Sequence, residues 1–236
     1  MRKQDYMLIL EKGDALYRYI LMTPPPQEWS TCLHNPEYDS IELGPKNIIG
    51  AFFFYDTPVA AKKVLAQAIV NQQKIENNYT YATVTCCLVT DDIILLNLES
   101  GILNCCDMIS ALNRIGINIV SSSFYNYKKH LPFSSITSEM KKLNSGDKIE
   151  RETAANSIES FFCYPPYLGQ TLTDFNNGPI FKNMLKKKGL EGYVFMELLD
   201  SNTYCLFDSN KLTAPNHSKI VIANDAEIQK FIKMAI

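Results

Sequence analysis

Residues 185–212, LKKKGLEGYVFMELLDSNTYCLFDSNKL, decide how this chain is read. Lys186, Lys187 and Lys188 stand where cations favour a helix C-terminus, and Gly189 follows as a residue able to take the left-handed cap. Gly192 then opens a run of strand formers, Tyr193, Val194 and Phe195. A short polar break leads into a second such run, Thr203 to Phe207, and Asp208-Ser209-Asn210 closes it as a turn. The segment therefore predicts a helix end, a tight glycine turn and two successive strands. Glu197 is a lone carboxylate at the end of the first strand.

Outward from there, strand and helix signals alternate without a regular βαβ rhythm. Ala15 to Leu21 reads as a strand carrying Tyr17, Arg18 and Tyr19, ended by the prolines within Thr23 to Ser30. Asn35 to Gly44 is turn-rich. Ala51 to Tyr55 is a dense aromatic strand. Asp56 or Thr57 caps the helix that follows, with Pro58 at its first position. That helix runs to about Asn71, with Ala61, Val64, Leu65, Ala68 and Ile69 on its apolar side. Thr80 to Val89 and Ile93 to Leu98 read as strands. Asp107–Arg114, Glu150–Phe162, Pro179–Lys188 and Asp225–Met234 read as helices. Residues 121–150 carry a weak pattern rich in Ser, Lys, Asn and aromatics, read as an insertion or a lid. Short strands outside βαβ units predict an α+β fold.

The chain has 236 residues, enough for a sizeable core without a disulfide or metal staple. Its net charge of −2 argues against a strong field for nucleic acid or membrane. Seven cysteines and three histidines contain no C-x-x-C and no metal-ligand spacing. The adjacent pairs Cys86-Cys87 and Cys105-Cys106 read as small apolar residues, so neither disulfide nor metal is expected. No signal peptide is visible before Glu11 and Lys12, and no apolar run is long enough to cross a bilayer. A cytoplasmic protein with no membrane partner is the expectation.

Three segments together resemble the ADP-ribosyltransferase superfamily, including the RES-type NAD-consuming toxins. They are Tyr17-Arg18 in LYRYI, the aromatic strand ending at Tyr55 with Ala60 and Ala61 after it, and the late segment with Gly189, Gly192 and Leu206-Phe207-Asp208. The resemblance covers Ala15 to Ala68 and Thr173 to Leu212 and leaves the middle unexplained. It implies a single α+β domain over residues 1–236, with short mixed and antiparallel sheets forming a cleft and helices flanking them. It also implies an enzyme that takes NAD as substrate, either transferring ADP-ribose to a protein or nucleic-acid acceptor or hydrolysing NAD. Such families include bacterial toxins, effectors and conflict proteins, some held by a neutralising protein partner.

The resemblance implies a site as well. Arg18 offers a bidentate fork to the pyrophosphate. Tyr19, Tyr55, Thr57 and Thr203 contact the rest of NAD, with the amphipathic ring of Tyr55 suited to stacking. Glu197 stabilises the ribosyl centre. These are electrostatic and positioning tasks that require no metal. The pattern is not met throughout. Glu197 stands where RES-type toxins carry Ser. Other members place a Glu at the start of the last strand, where this chain has Asn202 and Thr203. The Glu expected after the alanines of the first helix is replaced by Lys62, Lys63 and Gln67. Three readings stay open: Glu197 has taken over catalysis, the chain is a non-catalytic ligand- or protein-binding module on the same fold, or it is a partner-binding protein with an unrelated α+β fold.

Other chemistries find less support. The chain has no Walker loop, no G-x-G-x-x-G and no G-x-S-x-G. Seven Cys and three His leave a Cys-His nucleophile pair open. Tyr125, Tyr127, Lys128, Lys129 and His130 form a small basic-aromatic cluster, suited to nucleic acid or to a target protein.

Overall fold

The computed structural model describes residues 2–4, 6–21, 28–29, 48–73, 80–98, 105–120, 123–162, 167–196 and 202–235. Glu197, Asn35 to Gly44 and most of Thr23 to Ser30 lie outside these residues. The chain opens with strands β1 (Arg2–Gln4), β2 (Met7–Leu10), β3 (Ala15–Leu21) and β4 (Phe52–Phe54). Helix α1 (Pro58–Gln73) starts as its sequence predicts: the Ala60 N–H donates to Thr57 Oγ1 at 3.1 Å. Strands β5 (Tyr81–Leu88) and β6 (Ile93–Leu98) follow, then helix α2 (Cys105–Arg114). A small hairpin, β7 (Tyr125–Asn126) with β8 (Leu131–Pro132), leads into helices α3 (Thr137–Lys142), α4 (Lys148–Phe162), α5 (Tyr167–Thr173) and α6 (Asn177–Lys186). Strands β9 (Gly192–Met196), β10 (Asn202–Leu206) and β11 (Asn216–Val221) and helix α7 (Ala226–Ala235) complete it.

The late segment folds as its residues dictate. Gly189 takes a φ of +74°, its N–H donates to the Lys186 carbonyl at 3.0 Å, and the Leu190 N–H reaches the Leu185 carbonyl at 3.1 Å. That pair of bonds is a Schellman cap, which turns the chain from α6 into β9. A Cβ at Gly192 would lie 2.2 Å from the Cys205 carbonyl oxygen, so the first residue of β9 has no room for a side chain. β9 and β10 then pair antiparallel, with Gly192 opposite Leu206 and Met196 opposite Asn202.

The fold is α+β, with two main sheets between helices. The six-stranded sheet has the order β1-β2-β6-β9-β10-β4, antiparallel except for the parallel pair β6 and β9. The three-stranded sheet, β11-β5-β3, is antiparallel throughout. An apolar layer joins the two: Leu8, Leu95, Val194, Phe52 and Phe54 from one sheet meet Leu16 and Cys87 from the other. The outer face of the larger sheet packs on α2, α4, α5 and α6 through Tyr193, Phe195, Cys205 and Phe207. The outer face of the smaller sheet packs on α1 and α7 through Tyr19, Ala82 and Val84. Helix α1 buries Ala66 and Val70 beyond its predicted stripe, because α7 lies along it. Lys62 fixes that contact by ion pairs to Asp225 and Glu227, each at 2.8 Å.

The segment read as an insertion or lid gives Phe124, Phe133 and Ile136 to the core over the larger sheet. Phe124 stacks on Phe133 and meets Phe181 of α6 edge to face. No helix of the described residues is long and apolar enough to cross a membrane.

Candidate active site

The site is set by where β4 ends. β4 runs antiparallel to β10, with Phe54 opposite Tyr204, so the chain leaves β4 at the end where β9 finishes and β10 begins. There Tyr55 crosses to the smaller sheet. It exchanges two backbone hydrogen bonds with Tyr17, at 2.7 and 2.8 Å. Arg18 is the next residue along β3. The strand ends that bracket Glu197 and the strand that carries Arg18 therefore come to the same end of the structure.

Arg18 is half-buried and lies on the face of β3 that looks into the layer between the sheets. Its guanidinium carbon stands 5.9 Å from the Phe54 ring centroid. Trp29 covers the same ring edge to face at 5.4 Å, and its indole N–H donates to the Thr213 carbonyl at 2.8 Å. Across the sheet Arg18 is opposite Thr85, and Thr85 is opposite His217. Thr85 Oγ1 and His217 Nδ1 are 2.9 Å apart. A guanidinium, a hydroxyl and an imidazole thus form one row, spanning about 10 Å at the usual strand spacing. Sequence reading missed Thr85 and His217, because nothing local encodes which residues of three strands stand side by side.

Tyr19 and Tyr55 do not share this face. Successive side chains of a strand point to opposite faces. Tyr17 and Tyr19 therefore face away from Arg18, and Tyr55 shares the face of its partner Tyr17. Both Tyr19 and Tyr55 are buried against Ala61 and Leu65 of α1. The alternation Leu16, Arg18, Ile20 against Tyr17, Tyr19 carried this signal in the sequence. The hydroxyl oxygen of Thr57 accepts the helix-capping bond described above. Thr203 is fully buried on the helix-facing side of β10, opposite Phe195. Its hydroxyl has no hydrogen-bond partner among the described residues.

Three other charged groups of the late segment, Glu191, Lys211 and Asp208, are tied down. Glu191 accepts the Ile94 N–H at 3.1 Å and pairs with Lys211 at 2.9 Å. Asp208 accepts the Asn210 N–H at 2.9 Å, as its turn sequence predicts. These residues border a surface depression of about 400 Å³ at the opposite end of β9 and β10, away from Arg18.

The five described cysteines are free. Burial pushes the thiols of Cys87 and Cys205 up to about 12 and that of Cys106 up to about 11. Burial, with the carboxylate of Glu159 beside it, also raises Cys105. A thiol held protonated at neutral pH is a poor nucleophile. Among the described residues no group of three or more His, Cys, Asp or Glu is placed to hold a metal ion.

No family model matches the chain, and no curated protein matches it. Among solved structures, a chain in the crystal structure of the M. tuberculosis MbcT-MbcA toxin-antitoxin complex is similar, at 10% identity and a TM-score of 0.38. The likeness covers 95% of this chain and 92% of that one.

Proposed function

We propose that this chain is a NAD-cleaving enzyme of the ADP-ribosyltransferase type. The observation that carries the reading is the meeting at the end of β4 described above: Arg18 on one sheet, and on the other the strand ends that bracket Glu197. In this reading Arg18 grips the pyrophosphate, and Thr85 and His217 extend the polar row beside it. Glu197 steadies the ribosyl centre as the glycosidic bond breaks. The bonding pair leaves with nicotinamide, which departs neutral. Water or an acceptor nucleophile then bonds to the anomeric carbon and releases a proton. Electrostatic contacts aimed at the developing positive charge accelerate that step. A toxin, effector or conflict role, with a neutralising protein partner, belongs to the same proposal.

One observation favours a second reading, a non-catalytic module on the same fold. Where RES-type sequences carry Glu in the first helix this chain has Lys62, Lys63 and Gln67, and the Lys62 ammonium is spent on Asp225 and Glu227. Incubation of the purified chain with NAD, with nicotinamide release followed by chromatography, separates the two. Release by the wild type and its loss in Glu197→Gln, by on the order of a hundredfold or more, supports the enzyme. NAD bound but not cleaved supports the module. Neither binding nor cleavage refutes both as NAD proteins.

A further inference from the structure

The basic-aromatic cluster near residue 127 has no part in the site above, yet it is rigidly built. Two buried asparagines brace it. Asn126 accepts the N–H groups of Lys128 and Lys129, at 3.1 and 3.0 Å, and donates to the Phe161 carbonyl at 2.7 Å. Asn177 binds both backbone groups of Tyr125 and donates to the Thr171 carbonyl at 2.7 Å. These bonds lock the β7–β8 hairpin to the turn between α5 and α6.

The brace holds two side chains in unfavourable backbone states. His130 has a φ of 55° and Phe175 a φ of 45°, a region where a Cβ crowds the backbone. The outcome is a surface platform. Phe175 is 39% exposed, and its ring lies 4.4 Å from that of Tyr127. Tyr127 in turn meets Tyr125 at 5.2 Å. Lys128, Lys129 and His130 stand exposed at its rim. Lys128 acts electrostatically on the Asp174 carboxyl, which also accepts from the side-chain amide of Gln170 at 2.9 Å. The exposed side chains of Lys128 and Lys129 make the rim basic around an exposed ring.

We propose that this platform docks a short acidic segment of a partner protein, with an apolar or aromatic side chain seated on Phe175 and Tyr127 and carboxylates on the lysines. Charge complementarity selects an acidic partner. The size of the patch selects a peptide over single-stranded nucleic acid. Three basic residues in one turn do not make the extended cationic groove that a nucleic-acid strand follows, and the near-neutral chain adds no long-range attraction for phosphate. The proposal is independent of the NAD reading.

Fluorescence anisotropy with the full chain tests it. The probe is a short labelled peptide of Glu and Asp carrying two Phe residues. The controls are the same peptide with Lys for its acids and an oligothymidylate of similar length. The wild type should bind the acidic peptide alone. Phe175→Gly should weaken binding about tenfold or more, the loss expected of an aromatic anchor. Gly also relieves the backbone strain, so the melting temperature should hold or rise, which separates lost binding from lost fold. Lys128→Glu with Lys129→Glu should weaken binding further and flatten its salt dependence. Absence of binding, equal binding by Phe175→Gly, or tighter binding of the oligothymidylate would overturn the proposal.

Discussion

Replacing Arg18 tests the site most directly, because the structure separates its two expected effects. In Arg18→Ala the fold loses a cation–π contact at 5.9 Å to Phe54 and the packing of a half-buried stem. A contact of that kind is worth about 0.5–1 kcal/mol. A domain of ordinary stability, about 5–15 kcal/mol, survives that loss. Ligand binding should suffer more. Charge-assisted hydrogen bonds contribute about 1.5–3 kcal/mol, which corresponds to about 10- to 150-fold in dissociation constant. Arg18→Lys keeps the charge but not the planar fork, so its affinity should fall between the two. Isothermal titration with ADP-ribose measures this without turnover, since that ligand keeps the pyrophosphate and lacks the bond to be cut. Thermal melts of the same samples report the fold. Undiminished ADP-ribose affinity in a folded Arg18→Ala protein would refute the assignment of Arg18 to the pyrophosphate.

Gly192→Ala should destabilise the chain by about 3 kcal/mol, an overpacking cost, because the new Cβ would meet the Cys205 carbonyl at 2.2 Å and Leu95 Cδ2 at 2.8 Å; chemical denaturation reads the loss, and an unchanged midpoint would contradict the packing. The tie between α1 and α7 should appear in the acid limb of stability. Burial acts to raise the Asp225 carboxyl, but Lys62 at 2.8 Å and the N–H groups of Ile228 and Glu227 outweigh it and hold it below the ordinary carboxylate value. A depressed folded pKa gives stability that is present above the unfolded value, about 3.9, and is lost as pH falls through the folded one. Wild-type protein should therefore lose part of its stability below about pH 4, and in Lys62→Met that decline should be shallower when melting is followed against pH.

Much of the local structure was legible. The strands at Ala15 to Leu21 and Ile93 to Leu98, the Pro58 helix start and the Gly189 cap follow from propensity and backbone geometry, which neighbouring residues fix. Arg18 stands out in the sequence because a strand that carries Arg between tyrosines is conspicuous. One face was readable: period two in LYRYI already set Tyr19 apart from Arg18, whereas the face of Tyr55 follows from its pairing with Tyr17. The pairing itself was not readable, nor was the row of Arg18, Thr85 and His217, since register across a sheet depends on contacts between distant segments. The stretch from Phe124 to Ile136 gave no period because its hairpin and single turn each bury only a residue or two, too few to repeat.

The strand order has a consequence for when the candidate site can form. β4 is held by β10, and β5 is held by β11, pairings that join residues 130 to 154 positions apart, as in Asn216 to Cys86 and Leu206 to Phe52. Long-range pairing of this kind slows folding, because loop closure precedes any gain from contact. A nascent chain that has emerged only as far as α6 holds Arg18 on its strand but lacks the neighbour of Phe54 and the strand that brings His217. The surroundings of Arg18 are therefore completed only after β10 and β11 have been made. A truncation before Asn202 should give a protein that keeps its early helices, shows the collapsed and aggregation-prone behaviour of an unpaired sheet edge, and has no competent site.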